Sequence, residues 1–276
     1  MASAFQAYFG RAASLRRPIT VRRIEPRDCL HSLALGLEDV LEAPTHPLFV
    51  GFFYALAGTA ILALASFAHA PHLAVPLAAG FALMGPFVTL GVYEMSRRRE
   101  EGFDATWRDA FAVLKSPALS SILALGFVLF VLFAAWIEAA ELLYVSLYGY
   151  NAPQAAAPFV HDTLTTGRGW LLFVASGAIC FCFATLVLSI SIVSFPLMLD
   201  RDVGLVPAME ASLSVARESP LAIALWALAV AVLLVLGSLP LFIGLAVVMP
   251  VLGHATWRLY RRAIERDPAA EVPIEI

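Results

Sequence analysis

FAVLKSPALSSILALG, residues 111–126, changes character at its centre. Up to Lys115 the apolar residues recur at helical spacing with charge beside them. After Ser116-Pro117 the run is apolar throughout. The same change recurs in LSVARESPLAIALWAL, residues 213–228, across Ser219-Pro220. Serine is a good helix N-cap, and proline is favoured at the first helical position, where its missing N–H costs nothing. The residue before a proline is pushed out of the helical region, which ends the preceding segment. Each Ser-Pro therefore reads as the start of a long apolar helix that follows a short amphipathic one.

The amphipathic stretches have a common spacing. Trp107, Phe111 and Leu114 fall at i, i+4 and i+7, with Arg108, Asp109 and Lys115 off the stripe. Met209, Leu213 and Ala216 repeat it, with Glu210 and Arg217 off the stripe. A third copy stands near the beginning, where Leu30, Leu33, Leu37 and Leu41 form a stripe with Glu38, Asp39 and Glu42 facing away, followed by Pro44 and Pro47. Helices of this kind suit the plane of a membrane interface.

Composition agrees with lipid as the solvent. The chain is 61% hydrophobic and 14% charged, with a mean hydropathy of +0.82, against roughly 25% charged residues in soluble domains. Six apolar spans are expected, at about 48–68, 73–95, 118–146, 170–199, 221–237 and 241–257, the last two separated at Gly237-Ser238-Leu239-Pro240. A span needs about 20 residues. The fold class is all-α and polytopic: three two-span hairpins, each preceded by a cytoplasmic interfacial helix. Residues 1–28 form a basic arm suited to anionic lipid, 29–264 the membrane domain, and 265–276 a tail.

Arginine placement supports six spans rather than five. Of the 18 basic residues, all but Arg168 fall on one side. The positive-inside rule makes that side, with both termini, cytoplasmic. The even-numbered spans also match each other. GPFVTLGVYEMSRR (85–98) aligns without a gap on MPVLGHATWRLYRR (249–262), which sets Pro86 on Pro250, Glu94 on Arg258, and Arg97-Arg98 on Arg261-Arg262. The chain thus divides into three units starting near 29, 104 and 206.

The runs ALGLEDVLEAP (34–44), GPFVTLGVYEMSRRREEG (85–102), VSFPLMLDRDVGLVPAM (193–209) and PVLGHATWRLYRR (250–262) resemble the bacterial inner-membrane family known as domain of unknown function 2189. The residues that carry the resemblance are Gly36, Asp39, Gly85, Pro86, Glu94, Arg97, Arg98, Pro196, Asp200, Arg201, Asp202, His254 and Arg258. It implies a multi-span protein of the bacterial inner membrane and brings no catalytic role with it. Some members are labelled as a cytochrome c oxidase subunit. Haem and copper need histidines projecting from spans into the bilayer interior. His31, His46, His69, His72, His161 and His254 all fall near span ends or in loops.

Two groups of polar residues are candidate sites. At the cytoplasmic face stand Glu94, Arg97, Arg98, Asp200, Arg201, Asp202, His254 and Arg258. They read either as helix-end charges that pair with neighbours or as a ring at the mouth of a cavity, with Pro86, Pro196 and Pro250 kinking the even spans beside it. Glu94 is expected to pair with a basic residue of span four or six, the alternative being a local contact to Arg97 or Arg98 or simple exposure to water. On the other side, Glu138 and Glu141 share a helix face near His161 and Asp162. They read either as an external metal or proton site or as the wet end of span three. Cys29, Cys180 and Cys182 have no metal spacing, and no cofactor is expected. The chain has no Ser/His/Asp arrangement, phosphate loop or CxxC. It is therefore expected to be a non-enzymatic accessory, assembly or envelope-organising component. Its partners would be the bilayer and a membrane protein or second copy, not nucleic acid. The alternatives are a small-molecule or ion transporter and an oxidase-associated metal or redox subunit.

Overall fold

Nearly every described residue between Pro26 and Ala263 belongs to a helix or to a turn joining two helices. The computed structural model describes residues 19–42, 52, 56–60, 63, 89–103, 106–150, 156–239 and 242–266. The expected spans 48–68 and 73–95 fall largely outside these residues, as do Pro86, His46, His69 and His72. The described elements are α1 (Pro26–Glu42), α2 (Leu90–Glu100), the 3-10 helix η1 (Trp107–Lys115), α3 (Leu119–Tyr148) and α4 (Ala156–Thr165). They continue as α5 (Gly167–Ser191), α6 (Ser194–Arg201), α7 (Leu205–Glu218), α8 (Pro220–Ser238) and α9 (Leu245–Ala263).

Among the described residues three helices are long and apolar enough to cross a membrane: Leu119–Tyr148, Gly167–Arg201 and Pro220–Ser238. Their outward residues, among them Phe127, Phe130, Phe173, Phe181 and Leu228, are exposed. In water such a surface would be strongly unfavourable; against lipid it costs nothing, because a helix satisfies its own backbone. α9, on which the expected span 241–257 falls, is not one of the three. Its last turns carry Arg258, Arg261 and Arg262, and the helix runs on to Ala263.

Both Ser-Pro junctions start helices, by different means. At the first, α3 begins at Leu119, and the Ser116 hydroxyl accepts the Ala118 N–H at 3.2 Å. At the second, Pro220 opens α8, but Ser219 does not cap it. Its hydroxyl accepts the N–H of Ile24 at 2.9 Å, a residue far away in sequence. Between Gly167 and Arg201 the helix is interrupted at Ile192 and Val193. Pro196 offers no N–H to the Ile192 carbonyl four residues back. The Ser194 hydroxyl bridges the gap, within reach of the Ile190 carbonyl at 2.6 Å and the Ala208 carbonyl of α7 at 3.0 Å.

The amphipathic segments depart from expectation in two ways. Residues 107–115 are a 3-10 helix rather than an α-helix. The segment connects α2 to α3 and is stopped by Ser116-Pro117; the tighter helix serves as a connector, here over an uncommonly long run of nine residues. Its three-residue period puts the exposed Phe111 and Leu114 on one side. In α1 Leu30, Leu37 and Leu41 are exposed and Leu33 packs at the edge of the core, whereas Cys29, Ser32, Gly36, Asp39 and Val40 are buried. Asp39, expected to face away, is the inward residue. Small side chains on that face let α1 press against α9. A Cβ on Gly36 would come within 2.6 Å of the Ala255 backbone nitrogen. On α9 itself, a Cβ on Gly253 would come within 2.8 Å of the Val92 side chain of α2.

The core lies where α6 and α9 meet the first turns of α3 and α8. It contains Phe195, Met198, Trp257, Tyr260, Ile122 and Trp226. The ends of α2, α6 and α9 touch one another there, and this convergence positions the charged residues.

Candidate functional site: a charge network where three helix ends meet

Arg261, in the last turn of α9, holds the other two helix ends. Its Nε donates to Glu100 Oε2 of α2 at 2.8 Å. Nη1 and Nη2 donate to the two carboxylate oxygens of Asp200 on α6, at 2.9 and 3.0 Å. This fork geometry is the strong form of an arginine–carboxylate pair. Asp200 also accepts the Tyr260 hydroxyl, and Glu100 accepts the Trp257 indole N–H at 3.0 Å. Arg266 binds Glu100 as well. Arg261 lies 4.9 Å from the centre of the Trp257 ring, which adds a cation–π contact.

The titration of these groups follows from their surroundings. Burial raises Glu100, but Arg261, the Trp257 N–H and Arg266 outweigh it and hold its carboxyl below the usual range. Burial pushes the Tyr260 phenol far up, with Asp200 acting in the same sense. Burial lowers Arg261, and Asp200, Tyr260 and Glu100 more than restore it. The guanidinium stays charged and Glu100 stays ionised at neutral pH.

A second group joins α1 to α9. Arg258 forks onto Asp39, at 3.0 and 2.8 Å. Arg99 of α2 donates to the Asp39 carbonyl at 3.1 Å. Burial of the Cys29 thiol on the same helix raises it to about 11, so it is a protonated, packed side chain that donates to the Ala222 carbonyl at 3.3 Å.

Glu94 did not take the expected partner. Its carboxylate accepts from Arg97 at 2.8 and 2.9 Å and from Arg98 at 2.8 Å, both on its own helix. Arg258, which aligns with Glu94, turns to Asp39 instead. Glu94 is 3% exposed; among the described residues, it is Arg97 and Arg98 of the next helical turn that reach round to it. The inter-helix tie expected of Glu94 exists, but it runs through Glu100 and Asp200 to Arg261. His254 is 2% exposed, and its Nδ1 meets the Ser96 hydroxyl at 2.7 Å. Arg201 reaches the Glu265 carbonyl. Asp202 ends α6 in the left-handed conformation at φ 48°, exposed to solvent.

Of the external candidates, Asp162 and Glu141 both act on the Tyr144 phenol. Asp162 accepts the Tyr148 hydroxyl, and the Arg168 guanidinium sits 4.2 Å from the centre of that ring. Glu138 and His161 are exposed, and Glu141 is half-buried on α3. Among the described residues no three His, Cys, Asp or Glu side chains form a metal-binding group.

Sequence reasoning missed Glu100, Arg261 and the pairing of Asp39. A signal was present. Arg261 aligns with Arg97, and both acids lie in the charged runs that end α2 and α1. Proteins with curated descriptions and solved structures show no match to the chain. The model of one family, described as a predicted integral membrane protein (DUF2189), matches residues 74–200, so the stretch that holds Glu94, Glu100 and Asp200 is similar to that family.

Proposed function

We propose that this is a six-span protein of the bacterial inner membrane that works without catalysis, as an accessory, assembly or envelope-organising component. One observation carries the reading. The acids of the charged cluster, Asp39, Glu94, Glu100 and Asp200, are each bound by arginines of the same chain. A network closed in this way is a fastening. It is not an open set of ligands for a substrate or a metal. The arginine asymmetry supports cytoplasmic termini. The exposed leucines of α1, lying between its packed side and its charged side, support an interfacial setting for that helix.

A second reading has its own observation. The interruption at Ile192 and Val193 leaves a discontinuous helix, the feature around which transporters build their sites. Reconstitution of the purified chain into sealed vesicles separates the two. Proton, potassium and sodium flux equal to that of empty vesicles supports the accessory reading. Flux that depends on the protein overturns it in favour of transport.

A further inference from the structure

Two joints in this molecule are made from the same atoms. In one, Arg98 Nη1 at the end of α2 donates to Asp109 Oδ1 at 2.7 Å, and Asp109 Oδ2 accepts the Thr106 backbone N–H at 2.8 Å. In the other, Arg262 Nη1 at the end of α9 donates to Asp28 Oδ1 at 2.7 Å, and Asp28 Oδ2 accepts the Glu25 backbone N–H at 2.8 Å. Each aspartate is the third residue of its helix, η1 or α1. The gapless match of 85–98 with 249–262 sets Arg98 on Arg262. So the end of the first unit docks on the start of the second, and the end of the third unit docks in the same way on the start of the first.

The remaining joint, between α6 and α7, lacks this pair. The third residue of α7 is Pro207, and Arg201 turns instead to the Glu265 carbonyl. Serine hydroxyls replace the ions: Ser194 reaches the Ala208 carbonyl at 3.0 Å, and Ser212 accepts the Val193 N–H at 3.5 Å. The three inner ends, α2, α6 and α9, touch one another, with Arg261 fastened to the other two.

From this geometry we infer that the charged end is a closed ring of three related units around a pseudo-three-fold axis, and that Asp28–Arg262 is the clasp that closes it. The inference rests on the three-unit reading of the chain. The clasp is the one joint of the ring that the chain does not bridge covalently: residues 101–106 link α2 to η1 and 202–204 link α6 to α7, whereas α9 and α1 meet through non-covalent contacts alone. A strap reinforces it. Val21 and Ile264 form an antiparallel bridge. Arg22 N–H donates to the Ala263 carbonyl at 2.7 Å and Glu265 N–H to the Thr20 carbonyl at 3.1 Å. The Arg22 and Glu265 side chains pair at 2.8 Å. Beyond the strap, Ile24 is anchored to Ser219 at the head of α8. If the ring opens, it opens here, and the first unit swings from the third.

A double-mutant cycle on the full-length protein in detergent tests this. Asp28→Arg and Arg262→Asp should each lower the melting temperature, and the double reversal should recover at least half of the combined loss. Asp109→Arg with Arg98→Asp should behave alike. The crossed pair, Asp28→Arg with Arg98→Asp, should show simple addition of losses. Additive losses in the Asp28/Arg262 cycle, or recovery by the crossed pair, would overturn the assignment. Should the reversals fail to fold, Val21→Cys with Ile264→Cys in a Cys180→Ala/Cys182→Ala background gives a second reading. A disulfide that forms on mild oxidation and raises the melting temperature supports the clasp; reduced thiols under the same oxidation reject it. Neither readout depends on whether vesicles pass ions.

Discussion

Helices α5 and α9 dispose of their side chains in opposite ways. α5 buries Gly169, Leu172, Val187, Ile190 and Ser191, and residues such as Phe173, Val174 and Phe181 face outward. α9 buries most of its length, including His254, Trp257, Leu259 and Tyr260. The difference follows from the solvent each requires. An apolar helix surrounded by lipid needs no protein neighbour, since its backbone bonds are internal and its side chains match the medium. A helix that carries Arg258, Arg261 and Arg262 beside tryptophan and tyrosine needs partners for each charge. The lipid-facing region therefore tolerates exchange among apolar residues, while the charged end depends on particular pairs.

The comparison breaks most severely at Arg261. Reversal to glutamate would face three carboxylates toward one another at the meeting of three helix ends. Glu100 is 20% and Asp200 12% exposed at the side chain. Removing one partner of a pair this buried costs about 3–5 kcal/mol, and reversal adds repulsion. Arg261→Glu should yield little folded protein after detergent extraction. Monodisperse, wild-type-like recovery would show that the network is dispensable.

Gly36→Val comes next. Its Cβ would enter the contact with Ala255 and force α1 away from α9, a cost of about 1–3 kcal/mol for overpacking. The melting temperature should fall, and protease should cut α1 more readily. Unchanged melting would mean that α1 is loosely docked.

The third effect is acid sensitivity. Glu100 is held below the usual carboxylate range, and so is Asp109, chiefly through the Thr106 backbone N–H, then the Thr106 hydroxyl and Arg98. A folded-state pKa below the unfolded one contributes stability that is present above the unfolded pKa and is lost as pH falls through the folded pKa. Melting temperature should therefore stay level from neutral pH down to about 5 and drop below about 4, the range where free carboxylates protonate. Arg261→Gln should flatten that drop. A variant profile parallel to wild type would remove Glu100 from the explanation.

The smallest effect is expected on the other side of the contrast. Glu138→Gln alters an exposed carboxylate at the far end of α3, and stability should change by less than about 0.5 kcal/mol. A clear loss, or melting that responds to added zinc only in the wild type, would revive an external site.

Much of the fold was legible along the chain. The Ser-Pro junctions mark the starts of α3 and α8, and the break near Gly237 separates α8 from α9. Each signal is local: a proline without an N–H, a run of apolar residues, a change of periodicity. The site was legible in part. The helix-end acids and arginines were found as a group, yet Glu94 was matched with the wrong partner and Glu100 was passed over. Spacing places Glu94 at the end of a span, but it does not say which side of that helix faces α9. Asp39 of α1 was misread in the same way: set off the leucine stripe by spacing, it is buried and paired with Arg258.

By itself the sequence determined how much of this protein is apolar, where the helices start and stop, and which ends carry charge, because hydropathy and helix capping are sums over neighbouring residues. Only the tertiary structure decided that Asp39 belongs to Arg258, Asp200 and Glu100 to Arg261, and Asp28 to Arg262. A charged hydrogen bond is settled within about 3 Å, and that distance exists only once helices far apart in the chain have been packed together.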